Sequence, residues 1–173
     1  MRTRTTALLL LPTGLLAASC GHDTRAVDPH EPAPTTLAVD DLDNHLPCGF
    51  GFTLADDDGT RMLRIYLSDH RADVPRTMEL PAEGWTAETE FGEHLRANWC
   101  TDVIVEPHRD VQETWSVVEG TLTFAGDPPP SDPGRPVDAR AEVTGLVVES
   151  PDGERVELGD VELHNEQWGF LAG

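Results

Sequence analysis

The sequence predicts an all-β domain, an antiparallel β-sandwich with little helix, on three observations. Apolar residues alternate with polar ones or glycines over one short stretch after another, the two-residue period of a half-buried strand. Clusters of Asp, Gly, Pro and Ser separate those stretches about every eight to fifteen residues. The three-to-four-residue spacing of an amphipathic helix is almost absent.

The first strand is read from Cys48, Phe50, Phe52 and Leu54, which alternate with Gly49, Gly51 and Thr53. Asp57-Asp58-Gly59 supplies turn chemistry, and Leu63, Ile65 and Leu67 then alternate with Arg64, Tyr66 and Ser68, completing a hairpin. Trp85 to Phe91 alternates with Glu88 and Glu90 facing outward, and Phe91 to Trp99 carries one or two helical turns at most, because Gly92 interrupts the spacing of Phe91 and Leu95. Asp102 to Glu106 is a Val/Ile run expected as a short strand, and Thr114–Val118 is expected to meet Leu122–Phe124 across Glu119-Gly120. The last pair, Ala139–Glu149 and Arg155–Leu163, flanks Ser150-Pro151-Asp152-Gly153, where Asp-Gly accepts positive φ with little strain. Trp168, Phe170 and Leu171 are expected to close the core, with the Pro-rich loop 126–136 at one end of the domain.

Composition bounds the function. The 173 residues carry 32 Asp plus Glu against 12 basic side chains, all arginine, for a formal charge of −20. Such an excess disfavours nucleic acid and anionic lipid head groups as partners, since both need Lys/Arg clusters. At 38% hydrophobic residues the chain suits one modest globular domain rather than a multidomain enzyme or a chain disordered throughout.

The N-terminus has the three-part layout of a secretory signal: Arg2 and Arg4, an apolar stretch from Ala7 to Ala18, then Leu16-Ala17-Ala18-Ser19-Cys20. An apolar core of about a dozen residues is short of the roughly 20 that a spanning helix needs. With Cys directly after the small residues, the segment resembles the lipobox of bacterial lipoproteins, although Ala17 stands where that family most often has Leu. The resemblance implies that residues 1–19 are a signal peptide and that Cys20 carries a diacylglyceryl group. Two acyl chains would hold the protein on the outer, extracytoplasmic face of a membrane without a basic patch. Residues 20–44, with Pro29, Pro32, Pro34 and many acids, read as the lipidated Cys and a flexible tether, which leaves 45–173 as the single folded domain.

With Cys20 given to lipid, Cys48 and Cys100 remain as a pair in an exported domain, and a disulfide is the economical reading. Their spacing is near that of immunoglobulin domains, but Arg61 to Ile65 hold no core Trp and Asn98 stands where the Tyr should be. The expectation is therefore immunoglobulin-like in architecture only.

No motif assigns catalysis. Asp56-Asp57-Asp58-Gly59 lacks the alternate ligands and following Glu of a calcium loop, since Leu54 and Ile65 occupy those positions, and reads as a charged turn. His22 and His30 fall in the tether; His94, His108 and His164 show no metal-ligand spacing, so no metal or cofactor is assigned. No Gly-x-Ser-x-Gly turn is present around Ser68, Ser116, Ser131 or Ser150. Glu88 and Glu90 share a strand face and are the best acid/base pair available. Core packing is the ordinary role of a Trp, yet Trp85, Trp99 and Trp115 are the candidate ligand surface, because exposed aromatic faces stack on sugar rings. Gly49 and Gly51 leave one strand face bare, open to a close approach by a Trp or a ligand.

The expectation is a lipid-anchored, surface-exposed lipoprotein whose domain is a non-catalytic binding or accessory module for an envelope protein or glycan. The alternatives are a cell-envelope hydrolase with a carboxylate site and a divalent-cation or glycan-binding module.

Overall fold

The computed structural model describes residues 38, 41–69, 74–131 and 134–170, all within the unit Ala33–Gly173. The signal segment, Cys20, most of the tether and Leu171 lie outside the described residues. Eight strands follow in order: β1 (Asn44–His45), β2 (Gly51–Ala55), β3 (Arg61–Leu67), β4 (Thr77–Glu79), β5 (Trp85–Glu93), β6 (Asp110–Phe124), β7 (Val137–Glu149) and β8 (Arg155–Trp168).

Every pairing is antiparallel, in the spatial order β1-β2-β3-β5-β6-β7-β8. The long β6 shares one edge between two partners: Asp110 to Ser116 pair with β5, and Thr121 to Thr123 pair with the short β4. Where two packed sheets were expected, the strands form one continuous sheet that curls nearly into a barrel. The curl has identifiable causes in the register shifts at Phe91/Gly92, along Val117–Thr121 and at Val143–Val147, since each bulge bends its strand and increases its twist.

Closure falls on the edge formed by β2 and the residues just before it, which β1 covers only at Leu54 and Ala55. Its carbonyls are satisfied in turn: Leu46 N–H donates to Thr53 O (2.9 Å), the Asn165 side chain donates to Gly51 O (2.6 Å), and Gly169 N–H donates to Gly49 O (2.9 Å). Gly49 N–H donates in return to Phe170 O at 2.7 Å. A buried side-chain amide thus stands in for a missing rung between β8 and β2, which leaves no exposed edge there to template association.

Inside the curl sits a cluster of large rings. Phe52, Phe124 and Trp168 are almost wholly buried and lie 5.6–6.0 Å apart between centroids. Trp85 packs on Trp168 at 6.2 Å, and Phe91 on Trp115 at 5.1 Å. Two of the indole N–H groups find acceptors: Trp168 Nε1 donates to Pro130 O (3.1 Å) in the Pro-rich loop, and Trp115 Nε1 to Glu113 Oε1 (2.7 Å).

Several sequence expectations change. Asn44, read as the last residue of the tether, pairs into a strand with His45, the first residue expected in the domain, and the strand Thr77–Glu79 was not expected at all. Glu119-Gly120 is not a hairpin turn but a bulge within one continuous β6, with Gly120 at φ 152°. Val103 to Val105 form no strand. After Glu93 the chain does not enter a helix. His94, Asn98 and Cys100 all have positive φ (53–56°), so residues 94–100 run as successive turns over the outside of the β2–β3 hairpin. Leu95, fully buried, packs there with Ala55 and Met62 as a small second core.

Candidate functional site

The disulfide between Cys48 and Cys100 is present, with a Cα–Cα separation of 5.7 Å across 52 residues of sequence. It ties the 94–100 turns to the segment that leads into β2. Between the two lies a groove of about 390 Å³, lined by Cys48, Gly49, Phe50, Gly51, Thr53, Arg64, Tyr66, Leu67, Ser68 and Trp99.

Register explains why these side chains meet. Gly51 pairs with Tyr66 and Thr53 with Arg64, so all four share the outer face of the β2–β3 hairpin, opposite Phe52, Leu63 and Ile65 in the core. A methyl group on Gly51 would overlap Tyr66 and approach Ile65 O to 2.6 Å, so only glycine lets the chains lie this close. Arg64 lies over two rings, with its guanidinium carbon 4.6 Å from the Tyr66 centroid and 5.8 Å from the Trp99 centroid.

Behind Arg64 the same face carries a charge cluster. Arg64 Nη1 bridges Glu88 (3.2 Å) and Glu90 (2.9 Å), and Arg109 Nη2 holds the other oxygen of Glu90. Burial, and then repulsion from Arg64, pull Arg109 below the usual arginine range. The Glu90 side chain is only 6% exposed, and a carboxylate so enclosed cannot reach a substrate. Glu88 and Glu90 are thus positioned as arginine acceptors rather than as an acid/base pair across a cleft. Three donors near this cluster are buried without an acceptor among the described residues: Arg64 Nε, Arg109 Nε and the indole Nε1 of Trp99.

Of the three tryptophans expected at a ligand surface, only Trp99 borders the groove. Trp85 and Trp115 are corrected to core residues, 8% and 6% exposed, because their strand positions point inward with Leu67 and Thr89. Tyr66 and Arg64 were missed as site residues; the alternation of β3 placed them on the outer face, but nothing in the sequence said which loop would cover it.

The triple-Asp turn is structural. Asp56 is 5% exposed, and its carboxylate accepts from Thr60 N–H and Thr60 Oγ1 (both 2.8 Å), Arg61 N–H (3.2 Å) and Arg61 Nε (3.0 Å). Burial pushes the Asp56 carboxyl up, but these donors outweigh it and hold it below the usual carboxylate range.

A second groove, of about 430 Å³, crosses the outer face of β7 and β8 beside His45, Arg140, Glu162 and His164. The two imidazoles meet edge-on at 6.0 Å, and His164 Nε2 lies 2.9 Å from Asp138 Oδ1. Burial, followed by the nearby His164, lowers His45 from its ordinary value. Among the described residues no three His, Cys, Asp or Glu side chains are arranged to hold a metal ion.

The chain matches no family model, no curated protein and no solved structure.

Proposed function

We propose that this is a lipid-anchored, extracytoplasmic lipoprotein whose domain is a non-catalytic binding module, with its ligand in the Trp99 groove. The anchor rests on the lipobox-like residues Leu16 to Cys20, and the exported disulfide is consistent with it. We read the nearly closed sheet as tending toward a sandwich, since Phe52 of β2 packs against Phe124 of β6 and Trp168 of β8.

The observation that carries the binding role is the groove itself. A bare glycine wall lies beside three aromatic residues, Phe50, Tyr66 and Trp99, with Thr53 and Ser68 in the lining. Mostly apolar walls with a few polar groups suit a small ring-shaped ligand. Its one charge, Arg64, is already neutralised by Glu88 and Glu90, and the acidic chain repels anions. The ligand class is therefore a neutral, hydroxyl-rich ring such as an envelope saccharide.

Thermal unfolding of the mature chain with neutral cell-wall oligosaccharides, divalent cations and EDTA tests this reading. A ligand at about 100 times its dissociation constant adds about 2.7 kcal/mol. A rise in Tm with a neutral saccharide supports the assignment, a rise with a cation alone replaces it, and no rise removes it. Mass spectrometry of the mature N-terminus tests the anchor separately: a diacylglyceryl Cys20 is expected, and an unmodified Cys20 contradicts it.

A further inference from the structure

We propose that the loop after the disulfide is a docking knob for a second protein, one that offers an apolar pocket with a basic rim. Val103, Ile104 and Val105 are consecutive and 62%, 72% and 58% exposed. Single exposed apolar side chains are ordinary, but three adjacent branched ones at a loop tip are not, because they keep apolar area in water with no gain to the fold.

The tip is held, which separates it from a stretch that has merely failed to pack. Asn98 clamps it from below: its Nδ2 donates to Val105 O (2.8 Å) and Pro107 O (3.2 Å), and its Oδ1 accepts from Val105 N–H (2.9 Å). Val103 N–H donates to Thr101 Oγ1 at 3.1 Å, and Cys100 fixes the base of the loop to Cys48. Asn98 and Cys100 hold φ of 55° and 53°, a conformation that asparagine tolerates better than most residues. A surface organised in advance loses less entropy when it is covered.

Charge selects the occupant. Asp102 and Glu106 bracket the three apolar residues, both exposed, and no arginine lies between residues 97 and 108. The nearest, Arg109, turns back onto Glu90. Glu106 also meets His108 Nε2 at 2.8 Å, but both partners stay exposed. An apolar tip flanked by two carboxylates on a chain of charge −20 is repelled by anionic head groups and by a second copy of itself, but is complementary to a Lys/Arg-rimmed pocket.

The test places a photoreactive side chain at Val103 of the full chain, in the cells that make it, with exposed Thr144 on β7 as the control position. One discrete protein adduct from position 103 and none from 144 is expected. The adduct partner, purified, should bind the wild-type chain, lose about tenfold or more in affinity with Ile104→Asp, and lose several-fold with Glu106→Lys or with added salt. Ile104→Asp should leave Tm unchanged, since the side chain is outside the core. The proposal is overturned by no adduct, by an adduct protein indifferent to Ile104→Asp, or by tighter binding of Glu106→Lys. It is equally overturned if the tip partitions into neutral or anionic phospholipid vesicles, or if the chain forms a dimer that Ile104→Asp disperses.

Discussion

Asn165 closes the sheet, and replacing it measures how much that closure contributes. The side chain is buried within β8, and its amide donates to Gly51 O at 2.6 Å, with longer contacts to Gly49 O (3.3 Å) and Cys48 O (3.4 Å). Its Oδ1 accepts from Gln167 N–H at 2.8 Å. Asn165→Ala leaves the buried Gly51 carbonyl without this donor, a loss of about 1–3 kcal/mol, while the exposed Gln167 backbone can turn to water for less. Together with the small void, the expected loss is about 3 kcal/mol, or roughly 10 °C in Tm for a domain of this size. Asn165→Leu keeps the branched shape but is larger, so it removes the hydrogen bonds without leaving a void and should also destabilise. Asn165→Asp should cost the most, because it turns a carboxylate oxygen toward three carbonyls. Urea unfolding followed by Trp fluorescence gives the order. An Asp variant within about 0.5 kcal/mol of wild type, or an Ala variant equally unaffected, would refute the closing role. Cys48, Gly49 and Gly51 also line the groove, so the Ala variant should weaken ligand binding as well as the fold.

Other consequences follow from particular residues. Reducing the Cys48–Cys100 bridge frees a loop with a sequence separation of 52 and should cost about 4 kcal/mol on the chain-entropy model, so a melting curve unchanged by reductant would contradict it. Asp56 is held below its unfolded value, so its contribution is complete above about pH 4 and is lost as pH falls through the lower folded value. Asp56→Asn should lower stability at neutral pH by about 2–4 kcal/mol and flatten that acid limb in urea titrations run between pH 2 and 6. His45 is lowered in the fold, so the unfolded chain takes up its proton first and stability falls as pH drops below about 6.5. In His45→Gln that part of the slope should disappear, and an unchanged slope assigns it elsewhere.

Local pattern carried much of the fold, and tertiary context decided what it could not. The alternation in Phe50–Leu54 and Leu63–Leu67 marked both strands of the first hairpin, and the Pro-Asp-Gly turn marked β7 and β8. The Val/Ile run at 103–105 had strand propensity but no partner edge, because Asn98 takes the Val105 backbone groups and β5 and β6 pair with each other. Glu119-Gly120 carried a turn signal, yet Gly120 serves as a bulge that keeps β6 whole between β4 and β7. One sheet and two packed sheets share the same alternation, so architecture depended on long-range closure by Asn165, 114 residues from Gly51. The groove was half legible: glycine alternation exposed one face of β2, and Trp99 beside Cys100 was singled out. That Trp99 would cover Tyr66 and Arg64 depended on three left-handed residues in the 94–100 turns, which composition does not announce.

The most direct test of the binding role is Tm of the mature chain, wild type against Trp99→Leu, across the neutral saccharide panel. A shift of about 8 °C at roughly 100-fold excess over the dissociation constant is expected in the wild type. Trp99→Leu should abolish that shift while keeping the disulfide. No shift with any saccharide, or one of equal size in Trp99→Leu, would contradict a ligand site in this groove.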